Sequence, residues 1–231
     1  MFYCNVFISK FQLIFYLKFL NFKENCLNLM ILKEKNKITA LLIYGSPRRN
    51  GNTDELMDKF EEGLMLNKNI AGSLLSIEKV IVKSLKFSSC LECRHCSIDG
   101  ECAVLDEMQE VYSKLIDCDF LAVSSPVFFT AVSGYLKSFI DRCQKFWVLK
   151  YELKKQVIRK ERKGIFISTA GSGIDTIFDC SRKTIRAFFD VLNVKYDMDF
   201  VYNNIDFKGD IQKNPRALEE VFRYGINLTI K

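Results

Sequence analysis

Residues 37–66 constrain the chain more than any other stretch, because they read as a buried strand, a tight polar loop and an amphipathic helix in direct succession. Ile38, Ala40, Leu41, Leu42, Ile43 and Tyr44 form a nearly continuous apolar run, the pattern of a parallel strand with both faces covered. The loop that follows, residues 45–53, holds two glycines and a proline together with Ser46, Arg48, Asn50, Asn52 and Thr53, all of them donors that suit an anion. Helical spacing then begins at Leu56, Met57, Phe60 and Leu64, and Asn52 with Glu55 three residues on predicts the N-cap. A donor-rich loop at a helix N-terminus is a phosphate site on physical grounds, since free N–H groups and the positive end of the dipole meet there. An ordinary strand-to-helix turn accounts for the same residues, and Asp54 and Glu55 suit the dipole while repelling a dianion. The loop matches neither G-x-G-x-x-G nor the Walker pattern, so neither of those sites is implied.

The rest of the chain repeats the alternation. Strands are predicted at 80–85, 120–123, 163–168 and 195–202, and helices at 108–116, 133–146, 175–192 and from Pro215 onward. Alternating strands and helices predict a doubly wound α/β fold: a five-stranded parallel sheet with helices on both faces. In such a sheet the ligand lies beyond the carboxyl ends of the strands, where the strand order switches. Three strand ends carry suitable loops: 45–53, 124–130 with Pro126, Phe128 and Phe129, and 169–173 with Thr169 and Gly171. The two phenylalanines offer flat faces to an aromatic ring system, although adjacent Phe residues are also ordinary core.

Residues 30–231 read as one domain, with no internal repeat or low-complexity linker. Residues 1–29 are expected to be an extension outside it, with translation starting at Met30. Lys10, Lys18 and Lys23 interrupt their apolar residues, so no uncharged run reaches the roughly 18 residues of a membrane span. The order of a signal peptide is missing as well. A net charge of +6 is too mild to imply nucleic acid. These features exclude membrane and nucleic-acid partners from the expectation.

The sharpest chemical signal is the segment 88–104, where Cys90, Cys93, Cys96 and Cys102 fall within thirteen of the chain's residues. Clustering of this kind points to a metal site in a reducing compartment, hence the cytoplasm, and not to a disulfide framework. An iron–sulfur cluster takes four thiolates in such spacing. Tetrahedral zinc, with or without His95, and a metal-free redox dithiol remain open on the residues alone. Cys4, Cys26, Cys118, Cys143 and Cys180 are expected to behave as small buried apolar side chains.

Gly45-Ser46-Pro47-Arg48 with Gly51-Asn52-Thr53, the four-cysteine run, Ser125-Pro126-Val127-Phe128, and Leu136-Lys137 through Ile140-Asp141-Arg142 together resemble the iron–sulfur flavoprotein family. That family lies within the flavodoxin-like, NADPH-dependent FMN reductase-type superfamily. The resemblance implies a flavodoxin-like fold with FMN bound noncovalently, its phosphate held by residues 46–53. It places the isoalloxazine ring between Pro126, Val127, Phe128, Phe129 and Thr130 on one side and Thr169 to Gly173 on the other. It also implies a 4Fe–4S cluster on Cys90, Cys93, Cys96 and Cys102. Where Phe128 stands, relatives commonly carry Tyr.

The function expected on this basis is electron transfer from a ferredoxin-like donor through cluster and FMN to a small-molecule acceptor, in a homodimer or homotetramer. No residue need act as acid or base, which agrees with a single histidine. An NAD(P)H-dependent FMN or quinone reductase with structural cysteines is the alternative enzyme, and a flavin- or zinc-binding sensor the alternative of another class. Residues 145–163 carry eight lysines and arginines against Glu152 and Glu161, a solvated basic face or a docking patch for an acidic donor.

Overall fold

Alternate residues of the first strand face opposite layers, and the two layers are the two halves of the core. In the computed structural model, which describes residues 37–70, 74–158 and 160–230, strand β1 (Lys37–Tyr44) sends Leu41 and Ile43 to one side. Ala40, Leu42 and Tyr44 go to the other. The continuous apolar run thus has the burial on both faces that its composition requires. From Ile38 onward the described elements belong to one compact unit, Leu74 aside. The expected boundary at 29/30 lies outside the described residues.

The remaining elements are α1 (Asn52–Met65), β2 (Leu74–Ile81), α2 (Cys96–Asp99), α3 (Met108–Asp117), β3 (Phe120–Phe128), β4 (Ala131–Val132), α4 (Gly134–Arg142), α5 (Gln144–Trp147), β5 (Arg162–Thr169), α6 (Asp179–Val191), β6 (Val194–Tyr202) and α7 (Pro215–Asn227). The main sheet runs β2-β1-β3-β5-β6, and β1–β3, β3–β5 and β5–β6 pair in parallel. This is the flavodoxin-like strand order, which reverses direction between β1 and β3 and so opens a crevice there. Helices α1 and α7 cover the face of Leu42, while α3, α4 and α6 cover that of Leu41. Helices α1 and α7 approach unusually closely, because a Cβ on Gly63 would stand 2.1 Å from the Phe222 carbonyl oxygen and one on Gly225 2.5 Å from that of Phe60.

Several expected boundaries move. The second strand starts at Leu74, not Val80, because an edge strand mixes Ser76, Glu78 and Lys79 with its apolar residues. Val82 to Ser84 are a 3₁₀ turn. Residues 124–128 are strand and not loop: β3 runs on to Phe128 and turns back through Phe129 and Thr130, both at positive φ, into the two-residue antiparallel β4. Among the described residues the sheet therefore has six strands, the expected five and this short addition. The helix expected over 133–146 breaks at Cys143 and restarts as α5, followed by a π-helical turn at Val148–Glu152. That over 175–192 opens with a 3₁₀ turn before α6.

Candidate functional site

One cavity opens at the carboxyl end of the sheet and a second is lined by the cysteine loop, and the chain passes from one to the other between Ser89 and Cys90. The first, about 520 Å³, lies against Pro47, Leu85, Phe87, Phe128, Tyr135 and Ser138. Phe128 and Tyr135 are about half exposed beside it, at 48% and 47%, and Phe129 is fully exposed. Large aromatic faces left open to water at the switch in strand order are the surface a flat ring would cover.

The loop after β1 closes on itself. Ser46 Oγ accepts from the Arg48 N–H at 3.1 Å and donates to the Arg48 carbonyl at 3.0 Å. Asp54, 1% exposed, accepts on Oδ2 from the Asn50 N–H and from Arg49 Nη1, each at 3.0 Å. Its other oxygen, Oδ1, has no partner among the described residues. Burial pushes the Asp54 carboxyl up to about 6, against the pull of Arg49. Gly51 caps α1, and Asn52 is its first residue, so the expected Asn52 cap is corrected. The Asn52 amide instead reaches the chain after β6: Nδ2 donates to Phe207 O at 2.9 Å, and Oδ1 accepts from Gly209 N at 3.0 Å and Ile211 N at 3.3 Å. Thr53 is buried in the first turn, where N–H groups without intrahelical partners point toward the loop. Arg48 is exposed.

Pro126 and Val127 are half-buried in β3 with Pro126 opposite Thr169, while Thr130 is exposed at the hairpin tip. The segment 169–173 packs toward residues 204–206 and lines neither cavity. Leu85, Phe87, Tyr135 and Ser138, none of them among the expected site residues, line the groove instead. Tyr135 carried the one available signal, an aromatic residue in the first turn of a helix that follows a strand-end loop.

All four cysteines of the 88–104 segment line the second cavity, of about 340 Å³. Cys90 and Cys93 are exposed, and Cys96 and Cys102 are half-buried. Burial pushes the Cys96 thiol up, and the three neighbouring sulfurs push the same way. Among the described residues no three His, Cys, Asp or Glu side chains converge on a position for a single metal ion. Glu92 and Arg94 take left-handed conformations, which coil the loop between cysteines. Gly100, at φ 94°, ends the one-turn helix α2, and a Cβ there would stand 2.3 Å from Leu149 Cδ2. The π-helical turn docks on the loop through Glu152, which accepts from Ser97 Oγ at 2.8 Å and Arg94 Nη1 at 3.3 Å. His95 is exposed, and its ring Nδ1 lies 3.4 Å from the Glu101 carbonyl.

Two buried cations form the cavity's inner wall. Lys145 Nζ pairs with Glu101 at 2.7 Å and stands 4.7 Å from the Tyr112 ring centre. Arg142 pairs with Asp106 at 2.6 Å. Burial pushes the Asp106 carboxyl up, but the Arg142 hydrogen bond and those from the Ser88 and Met108 N–H groups hold it below its ordinary value. Of the other cysteines, Cys118 and Cys143 are buried as expected, whereas Cys180 is exposed on the first turn of α6; Cys4 and Cys26 lie outside the described residues.

Fold and crevice together define a flavodoxin-like α/β protein. The family model of the NADPH-dependent FMN reductases matches residues 38–193, more than half of the chain, and the chain belongs to that family. It is similar to an iron–sulfur flavoprotein of Archaeoglobus fulgidus, 34% identical over 45% of this chain and 44% of that one. An iron–sulfur flavoprotein of Methanosarcina thermophila is 26% identical over 84% of this chain and 92% of its own length. The match to the Archaeoglobus protein thus spans less than half of that protein's length. Among solved structures, NAD(P)H:quinone oxidoreductase from Methanothermobacter marburgensis superposes with a TM-score of 0.64 at 19% identity, covering 84% of this chain and 98% of its own. An FMN-dependent NADH-azoreductase from Bacillus anthracis gives 0.56 at 14% identity, over 81% and 97%. Both likenesses concern the fold. No described helix is long and apolar enough to cross a membrane.

Proposed function

We propose that the protein moves electrons one at a time between a 4Fe–4S cluster on Cys90, Cys93, Cys96 and Cys102 and FMN in the neighbouring groove. The observation that carries this reading is the shared wall: α4 lines the groove with Gly134, Tyr135 and Ser138 and the cysteine cavity with Asp141 and Arg142. Four cysteines round one cavity, backed by two buried cations, suit a polynuclear group with net negative charge. The names of the relatives support the same cluster. When bound, the two groups supply the exchange between one-electron and two-electron chemistry.

The chain's own part is to bind, space and exclude water. Ser46, Arg48, Asn50, Gly51, Asn52 and Thr53 would hold the anion at the N-terminus of α1, with Asn52 acting through the 207–211 turn. Pro126, Val127, Phe128, Phe129 and Thr130 would border the ring, with Tyr135 across the groove. Thr169 and Gly171 would act from behind, through the strand pairing of β5 with β3. No side chain is required to hold or pass a proton.

A ferredoxin-like protein donor and a small-molecule acceptor complete the proposal, in a homodimer or homotetramer in the cytoplasm. The basic stretch contributes less to docking than its charge count implies. Lys145 and Arg162 are buried, and Lys150, Lys160 and Lys163 pair with Asp190, Asp119 and Asp197.

Anaerobic purification tests the reading: one FMN and about four iron and four sulfide per chain are expected. Cys96→Ala should lose the iron and keep the flavin. Full iron and sulfide in that variant would remove the four-thiolate assignment, and zinc in place of iron would favour the sensor. Steady NAD(P)H oxidation by iron-free protein would favour the reductase. Ser46→Ala with Thr53→Ala should weaken flavin binding, each lost hydrogen bond to phosphate contributing about 1.5–3 kcal/mol.

A further inference from the structure

Arg142 is among the largest fully buried side chains, 2% exposed as a residue at the end of α4. Its guanidinium reaches both flanks of the cysteine loop. Nη1 donates to Ser88 O at 2.8 Å and Asp106 Oδ2 at 2.6 Å; Nη2 donates to Asp106 Oδ1 at 3.1 Å and Val104 O at 3.3 Å. The remaining contact is to sulfur: Nη2 lies 3.6 Å from Cys102 Sγ. Ser88 precedes the first cysteine and Val104 follows the last, so one side chain fastens the two ends of the loop together. Only a planar fork of several N–H groups can do this; an ammonium has neither the reach nor the geometry.

Arg162 offers an internal contrast. It too is buried and contacts a sulfur, Cys118 at 3.1 Å, yet its other partners are the carbonyls of Leu115, Ile116, Cys118 and Leu192. That arginine closes helix ends away from either cavity. Arg142 differs because its sulfur faces the cavity that all four cysteines share.

We propose that Arg142 is a positioning residue for the metal group: it holds the cysteine loop shut and, through its N–H to Cys102 Sγ, raises the potential at which the bound group takes an electron. The inference rests on the iron–sulfur reading above. A positive donor on a ligating sulfur stabilises the more negative, reduced form more than the oxidised one. One electron arrives from the external reductant, no bond forms or breaks, and the guanidinium stays protonated throughout. Asp106 belongs to the device, since its two oxygens set the plane of the fork.

The test uses the full chain, purified anaerobically with its flavin and iron, as Arg142→Lys, Arg142→Gln and Asp106→Asn. Iron and sulfide are assayed, and the midpoints of the metal group and flavin are titrated separately with dithionite. Arg142→Gln is expected to make reduction of the metal group about tenfold less favourable, a shift of about 59 mV for one electron, and to leave the flavin midpoint in place. Arg142→Lys, which keeps the charge without the fork, should shift less. Loss of iron from all three variants, with flavin and melting temperature retained, also supports the clamp. Full iron with an unshifted midpoint in both Arg142 variants overturns the proposal, as does a lowered melting temperature with iron and midpoint intact, which marks a strut only. Unaltered protein that takes up no iron overturns the parent reading, and that arm is distinct from the others.

Discussion

The Ser133 hydroxyl donates to the Gly45 carbonyl, across 88 residues of sequence. The same oxygen accepts from the Leu136 N–H at 3.2 Å and caps α4, while the Ser133 N–H donates to Ser125 Oγ at 2.9 Å. The end of β1, the end of β3 and the start of α4 therefore meet at one buried side chain. Ser133→Ala removes the cap and leaves the Gly45 carbonyl without this donor. A loss of about 1–3 kcal/mol is expected in urea unfolding, with weaker flavin binding as the groove wall loosens. Unchanged stability would show that water replaces the hydroxyl.

Asp54 predicts a pH dependence of unusual sign. Its folded pKa is raised, from 3.8 to about 6, so the native state holds the proton more tightly than the unfolded chain. Its contribution is therefore most favourable at low pH, and stability falls as pH rises between about 4 and 6. The size is on the order of 3 kcal/mol. Urea melts of flavin-free protein at several pH values should show this decline relative to Asp54→Asn. Parallel pH profiles for the two proteins would contradict it.

Gly100 should resist any side chain. Its φ of 94° already disfavours one, and the added carbon would overlap Leu149. Left-handed backbone alone costs about 1–2 kcal/mol for an L-residue. Gly100→Ala is expected to lower iron content more than flavin content, measured on the same preparation. Equal loss of both would place the damage in the core and not in the cysteine loop.

Asn52→Ala should destabilise the protein by about 1–3 kcal/mol, because the N–H groups of Gly209 and Ile211 lose their acceptor and the Phe207 carbonyl loses one of its two donors. A cap at this position would be restored by Ser. A tether needs both a donor and an acceptor at amide length, so Asn52→Ser should fail to rescue. Recovery of stability with Ser would argue for the cap.

What the sequence revealed depended on how local each signal was. β1 lies in the middle of the sheet, so both faces are apolar and the run is legible; β2 lies at the edge, and its polar half hid six residues. The cysteines announced themselves by spacing. Arg142 stands in a motif that the sequence shows, but neither its partners nor those of Ser133 were legible, since a single polar residue carries no sign of the distant backbone it will bond. Asn52 misled for the related reason that an amide near a helix start serves equally as cap or tether. The lysines of 145–163 show charge in sequence, but their pairing with Glu101, Asp190, Asp119 and Asp197 comes from elsewhere in the chain.

The close seam between Gly63 and Gly225 gives the last helix a role at a distance. α7 lines neither cavity, yet it backs α1 without room for so much as a methyl group, and the Asn52 tether grips the same helix at its other end. The aim of the α1 N-terminus is thus set by residues 207–227 as firmly as by the loop in front of it. A bulkier side chain at Gly225, such as Gly225→Val, would act as a wedge and tilt the dipole away from its anion, with the fault surfacing in flavin affinity.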